Sequence, residues 1–468
     1  MLGISDITVY LPHYYLDPVD LKRAWNAKLT INKSVANFDE DAISMSVESA
    51  RLLEKFDEAN GLIFCSTTSP YELKQASAVI SAVLDMNNNI ISIDISNSYR
   101  GLTAGIIAGL GILSLKRVNN IIVTSGEIFR AKPNTSAERL LSDGAASVML
   151  SYDNVVLKYI DSVSMSSDFY DIWKKKDDVY PLEGDSAFVH KYGFSKMMTD
   201  SIKNILKINN LDVGNISKFA INAPDSRNLK QVKTKLGIAD KAMISEKLIS
   251  TYGYFGTAGA GIVLYETLLQ SNQGDILLLG NYGNGNCDVV LFRVTECINE
   301  FKKKKLSIET FSNDIEIISY YRYLSFRKLI DSCYEIVPFS SPLILWKEIK
   351  QTLNLVGSKC NKCGAIFFPK KRVCSECNAK DNYYDHKLPL TGTVFTYTQD
   401  SVGSSLNPPT QMVVVDLDGG GRFYGQLTDC DKNINIGDRV EFTFRYFHKG
   451  GGYLNYFWKL KPSKVIRG

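Results

Sequence analysis

No apolar run in this sequence reaches the roughly 20 residues that a bilayer-spanning helix needs, so no membrane segment is expected. A targeting pattern is missing too: MLGISDITVYLPHYYL has no basic stretch, no long apolar core and no cleavage-site pattern, and it reads as a first strand. Charge is close to balanced. The 54 Lys and Arg against 50 Asp and Glu leave a net of +4, too little to single out nucleic acid as a partner. Histidine is scarce, with four copies, and only His190 lies between His13 and the last third of the chain. The nine cysteines do not form a disulfide framework. Four fall in CNKC and CSEC, and Cys65, Cys287, Cys297, Cys333 and Cys430 stand singly, which suggests a metal site in a reducing compartment, the cytoplasm.

What remains is an ordinary globular composition, 45% hydrophobic and 22% charged, over 468 residues, enough for two or three domains. Short β-branched runs such as GLIFCST, IISIDIS and NNIIVTSGE alternate with longer helical patterns through the first 300 residues, which argues for an α/β domain with layered sheets. The order of strand, elbow, Gly/Ala-rich helix and closing hairpin occurs twice, so two similar halves are expected, 1–165 and 166–297. A charged and aromatic stretch with FKKKK and YYRYLSFRKLI reads as a helical linker over 298–357.

CNKCGAIFFPKKRVCSEC then sets Cys360, Cys363, Cys374 and Cys377 at the spacing C-x2-C-x10-C-x2-C, a zinc ribbon over 358–380. Four thiolates close a tetrahedral shell and leave no open position, so the expected role is structural; iron in the same shell is the alternative. From 381 to 468, period-2 runs such as LTGTVFTYTQ and TQMVVVDLD, broken by Gly and Asp, predict a small β-barrel.

The segment IDISNSYRGLTAGIIAGLGIL carries the functional question. A β run leads through a tight elbow into a Gly/Ala-rich helix, which is how many enzymes present a nucleophile at a helix N-terminus. No cysteine stands there; Ser98 and Tyr99 do.

The segments GISDITVYLPHYYLDPVDLKRAWN, KSVANFDEDAISMSVESARLLE and STTSPYELKQASAVI, followed by LSDGAASVML and GDILLLGNYGNG, resemble archaeal-type hydroxymethylglutaryl-CoA synthases. These belong to the thiolase superfamily and are related to the initiating ketoacyl-ACP synthases. The remainder resembles the zinc-ribbon and OB-fold protein that accompanies such enzymes. The resemblance implies a five-layered αβαβα fold of two similar halves, usually dimeric, that binds acyl-CoA through a pantetheine tunnel, followed by a rubredoxin-like zinc ribbon and a small OB-fold barrel. It also implies a catalytic Cys, Glu, His and Asn. Residue by residue, the Cys falls on Tyr99, with Ser98 as the other register, the Glu on Thr67, the His on Asn222 and the Asn on Tyr254, so all four are replaced.

Three functions follow as expectations. In the first, the chain is an acyl-CoA-binding component of an acyl-transfer or carbon–carbon bond-forming system, with covalent catalysis lost, acting as a homodimer or beside an active thiolase-like subunit. In the second, it passes an acyl group directly from CoA to an acceptor, with Asp225, His190 or a tyrosine moving the proton. In the third, the OB domain is a binding module whose aromatics in FRYFHKGGGYLNYFWKLK take single strands, which the weak net charge disfavours. Each singled-out residue also has a bland role: Ser98 and Tyr99 as filling of an abandoned site, His190 as a surface histidine, Cys65 as an inert buried thiol.

Overall fold

The computed structural model describes residues 1–311, 315–330, 338–402, 405–431 and 433–463. Residues 312–314 and 331–337 of the expected linker therefore lie outside the described residues. The chain divides into two compact units: 1–36, 41–81 and 86–323 form the first, and 37–40, 82–85 and 324–468 the second.

The first unit is built on a nine-stranded sheet, numbered here in chain order: β1 (Gly3–Tyr10), β2 (Gly61–Cys65), β3 (Ile91–Ile95), β4 (Asn120–Glu127), β5 (Gly144–Ser151), β6 (Leu157–Ser166), β7 (Lys218–Ile221), β8 (Ile276–Gly283) and β9 (Asn286–Val294). Their order is β7-β8-β9-β6-β1-β5-β4-β2-β3. By pairing, β3-β2-β4-β5-β1 form one group and β7-β8-β9-β6 the other, so β6 groups with the second half although nearly all of its residues fall within the expected first half, 1–165. The halves join through a two-residue ladder, Gly3 opposite Lys158 and Ile4 opposite Leu157. A lone bridge, Phe219 to Met243, stands where β3 has its counterpart in the second half.

Six helices position the site: α1 (Ala42–Ala50), α2 (Gly101–Ser114), α3 (Ser186–Tyr192), α4 (Phe194–Ile208), α5 (Ser226–Leu236) and α6 (Gly256–Leu269). Helices α2 and α6 are apolar nearly all round, the pattern of a helix buried on more than one side. They pack on each other between the half-sheets, while α1 covers the outer face of the first and α4 that of the second. The result is the expected αβαβα layering. Small residues make the central layer possible: a Cβ on Gly261 would lie 2.5 Å from the Ala146 Cβ, so only glycine lets α6 approach β5 this closely. The layer is closed by Leu102, Ile106, Leu110, Ala258, Ile262 and Leu264, all buried. Each large aliphatic among them contributes about 1.5–3 kcal/mol.

In the second unit, the strands Val356–Cys360, Ile366–Phe367 and Tyr383–Lys387 form the ribbon sheet. Five further strands follow, in the spatial order Arg422–Gln426, Thr410–Leu417, Thr391–Asp400, Arg439–Gly450, Tyr453–Pro462. The predicted barrel is not closed among the described residues. Just past the five-residue strand Arg422–Gln426, a lone bridge joins Leu427 to Leu460 of the last strand, and no ladder joins the two end strands among the described residues. The unit's interior holds a charged cluster: Arg445, fully buried, lies 3.0 Å from Glu40, 2.5 Å from Asp429 and 3.5 Å from Asp39, and Lys459 lies 2.8 Å from Asp39.

Candidate functional site

Strand β3 ends at Ile95, and the chain turns through Asn97, whose φ of 71° is left-handed, before α2 starts at Gly101. Asparagine tolerates that conformation better than most residues. The turn is held from both sides. Ser98 Oγ donates to the Gly283 carbonyl at 3.1 Å, and a Cβ at Gly283 would meet Ser98 Oγ at 2.6 Å and the Tyr99 nitrogen at 2.7 Å. Arg100 donates through Nη1 to both carboxylate oxygens of the buried Asp288, at 2.8 and 2.9 Å, and Thr103 and Ser164 donate to the same carboxylate. Asn281 Nδ2 donates to the Tyr99 carbonyl at 3.3 Å, while Asn222 Nδ2 donates to Asn281 Oδ1 and to the Gly256 carbonyl, each at 3.0 Å.

The Tyr99 ring meets Tyr254 edge to face at 5.6 Å between centroids, and Phe129 at 6.1 Å. Burial pushes the Tyr99 and Tyr254 phenols well above their ordinary range, and neighbouring carboxylates add to this. Neither hydroxyl is poised to ionise.

Glu127, which ends β4, was not singled out by the sequence. Its carboxylate is fully buried and accepts from the Thr67 amide at 2.8 Å, from the Thr67 hydroxyl at 3.1 and 3.0 Å, from the Thr68 hydroxyl at 2.8 Å, and from the Thr257 hydroxyl. Among the described residues its partners are hydroxyls and an amide rather than a cation; desolvation raises its pKa, and these donors pull it back. The one signal in the sequence is an acidic residue closing an apolar strand, IIVTSGE.

Thr67, Ser98, Tyr99, Asn222 and Tyr254 thus share one cluster. Asp225 and His190 take other roles. Asp225 caps α5, accepting from the Asn228 amide at 2.7 Å and from Asn228 Nδ2 at 2.8 Å, beside a cleft of about 230 Å³ lined by Ile31, Leu140 and Ile249. His190, on α3, lies 2.7 Å from Gln231 Nε2 on α5. Cys65 is buried behind the elbow, 2.9 Å from where a Gly105 Cβ would stand, and burial pushes its thiol up and out of nucleophilic range. The ligating atoms of Cys360, Cys363, Cys374 and Cys377 all lie within 4.8 Å of one another, with Sγ–Sγ distances of 3.7 Å for Cys360–Cys377 and 3.5 Å for Cys363–Cys374. A tetrahedral zinc with bonds of about 2.3 Å separates its sulfurs by about 3.8 Å, so the four thiols fit that ion.

Comparison with known proteins follows this division. The "ChsH2, rubredoxin-like zinc ribbon domain" model matches 348–382 and the "ChsH2, C-terminal OB-fold domain" model 385–445. The DUF35 domain-containing scaffold protein of Methanothermobacter thermautotrophicus is 36% identical over 130 residues, 25% of this chain and 93% of that protein. The hydroxymethylglutaryl-CoA synthase of Pyrobaculum aerophilum is 24% identical over 344 residues, 70% of this chain and 98% of that protein. The C-terminal module belongs with the DUF35-type zinc-ribbon and OB-fold proteins, and the part before it is similar to hydroxymethylglutaryl-CoA synthases over their whole length, which fits the expected fusion. A solved hydroxymethylglutaryl-CoA synthase complexed with CoA shares the fold, with a TM-score of 0.64 at 16% identity, over 73% of this chain and 92% of that one. The fusion protein therefore has the fold of acyl-CoA-handling condensing enzymes. Among its described residues no helix is long and apolar enough to cross a membrane.

Proposed function

We propose that this fusion protein binds acyl-CoA as a component of an acyl-transfer or carbon–carbon bond-forming system, and that its own elbow performs no covalent catalysis. One observation carries the reading. The elbow has the strand–turn–helix build of a nucleophile site, yet it presents Tyr99, a phenol kept protonated among carboxylates, and the nearest thiol, Cys65, is sealed behind it. Relatives whose names include hydroxymethylglutaryl-CoA synthase, and a solved relative complexed with CoA, support acyl-CoA as the ligand.

A depleted subunit contributes by binding and orienting, so a thiolase-like partner subunit is part of the proposal. The similarity of the C-terminal module to a DUF35 domain-containing scaffold protein supports this reading. A homodimer is the other assembly. Among the described residues strand β3 pairs with β2 alone, at the end of the sheet, and beside it the α2 surface is apolar at Ile107, Ala108 and Gly111. An open edge with an apolar flank pairs readily with its own two-fold copy. Zinc in the four-cysteine shell stabilises the ribbon and takes no part in the chemistry.

The second reading, direct transfer without an acyl-enzyme, has less support, because Asp225 is spent as a helix cap and His190 is bonded to Gln231. Titration of the purified protein with CoA and acetoacetyl-CoA tests the proposal. Saturable binding of both, with no CoA released until a thiolase-like partner subunit is added, is expected. Absence of binding, or steady release by the chain alone, contradicts it.

A further inference from the structure

At the end of the sheet away from the elbow, a cleft of about 650 Å³ opens wholly within the first unit. Asn120 and Ser151, which line it, stand at the opposite ends of β4 and β5 from Glu127 and Gly144. At about 3.3 Å per residue, these eight-residue strands separate the two places by about 23 Å. The cleft is no part of the elbow.

A β-bulge shapes its floor. Ile4 and Ile7, three apart in β1, are both buried in the core, which strict alternation forbids; the register slips between Ile4 and Asp6, and the extra residue brings them into phase. Asp6 is left to line the cleft, where its buried carboxylate accepts from the Ile7 and Glu54 amides, each at 2.8 Å, and from Lys305 Nζ at 3.0 Å. The carboxylate so anchored holds the ammonium in place.

Two polar groups of the cleft keep donors unspent. Lys305, whose side chain is 12% exposed, gives one of its three N–H donors to Asp6, and among the described residues the other two have no acceptor. Ser151, 6% exposed, accepts from the Asp153 amide at 3.1 Å, and among the described residues its hydroxyl proton has no acceptor. The rim does not supply one, because Glu54, Glu58 and Glu300 are held by Lys304, Lys55 and Lys303 at 2.7, 3.2 and 2.6 Å. Asp153 is exposed, and its charge is screened by solvent. Elsewhere the wall is apolar, with Met149, Val156 and Phe301 all buried. A few placed polar groups in an apolar wall of this size are the build of a small-molecule site.

We propose that this cleft binds an amphiphilic monocarboxylate, its head group on Lys305 and Ser151 and its apolar chain along Met149, Val156 and Phe301. Carboxylate oxygens accept from an ammonium and a hydroxyl together, and charge-assisted bonds of this kind are the strong ones. A monoanion matches the charge: Lys55 and Lys304, the other lysines of the lining, are already paired, so a phosphate dianion finds no second cation. The site goes beyond the acyl-CoA reading and does not depend on it.

The test titrates the full-length protein with octanoate, octan-1-ol and octylammonium, followed by ligand-observed NMR. Octanoate is expected to saturate at millimolar concentration or below and to bind at least about tenfold more tightly than either analogue, as hydrogen bonds to a charged group give. Ser151→Ala should weaken octanoate by about threefold or more, and Lys305→Gln by about tenfold or more. Lys305→Gln also strips Asp6 of its cation, so Ser151→Ala, which removes one hydroxyl alone, decides the matter where Lys305→Gln fails to fold. Octanoate binding that matches octan-1-ol, is absent at millimolar concentration, or is unchanged in Ser151→Ala overturns the proposal. CoA is titrated in competition, and octanoate is expected to stay bound at saturating CoA. Displacement by CoA puts the octanoate in the acyl-CoA site and overturns this proposal alone, whereas octanoate binding as expected without any binding of CoA supports the cleft and defeats the acyl-CoA reading.

Discussion

The Tyr99 and Tyr254 rings meet edge to face, 5.6 Å apart at 86°, at the two positions where the resemblance expects a cysteine and an asparagine. Two aromatic side chains fill space that a small nucleophile and its amide partner leave open. Restoring the thiol alone, as Tyr99→Cys, should therefore leave acyl-enzyme formation undetectable. The thiol gains no histidine, because Asn222 holds that position and is tied to Asn281 and Gly256. Thiol-trapping kinetics measure the thiol's pKa, and a value shifted well below about 8.5 contradicts this.

Glu127, at the end of β4, cross-ties the segment after β2 and the start of α6 through three threonines. Glu127→Ala leaves buried donors unpaired and should lower stability by about 1–3 kcal/mol in urea unfolding.

The same residue imposes a pH dependence. Its pKa in the folded protein is raised above the ordinary 4.5, chiefly by desolvation. Below that value the group is protonated in both states and costs nothing; as pH rises through the folded-state pKa, the unfavourable ionisation in the interior is felt in full. The stability gap between the natural protein and Glu127→Gln should thus shift against the natural protein as pH is raised from about 4.5. A pH-independent gap contradicts this.

How legible this site was depended on sequence distance. The β run Ile91–Ile95, the helix from Gly101 and the CNKC…CSEC ribbon are local patterns, and they stand where the sequence put them. Glu127 was not legible, because its partners Thr67 and Thr257 lie 60 and 130 residues away and nothing in IIVTSGE announces them. Asp225 looked like a base beside a proline, but an aspartate two residues before a helical Arg-Asn pair is first of all a cap. The membership of residues 37–40 in the second unit was equally hidden, since it rests on long-range ion pairs with Arg445 and Lys459.

Those ion pairs give a further expectation. Asp39→Asn strips a buried partner from both Arg445 and Lys459, and breaking such a cluster from one side costs about 3–5 kcal/mol. Limited proteolysis of the second unit should become faster, and an unchanged digestion rate counts against the cluster's role.

Removing the ribbon metal should unfold the ribbon, because binding energy at a four-thiolate site is also folding energy. Metal analysis should return about one zinc per chain, lost in Cys360→Ser together with the ribbon's protection from exchange. A metal-free protein with the same melting curve contradicts this.

The most direct measurement is the intact mass of the protein after incubation with acetyl-, acetoacetyl- and malonyl-CoA. If the elbow has lost covalent catalysis, the mass is unchanged and no acyl group maps to Ser98, Tyr99 or Cys65. An acyl adduct on Ser98 or Tyr99 that disappears when an acceptor is added contradicts the account and restores covalent catalysis through a hydroxyl.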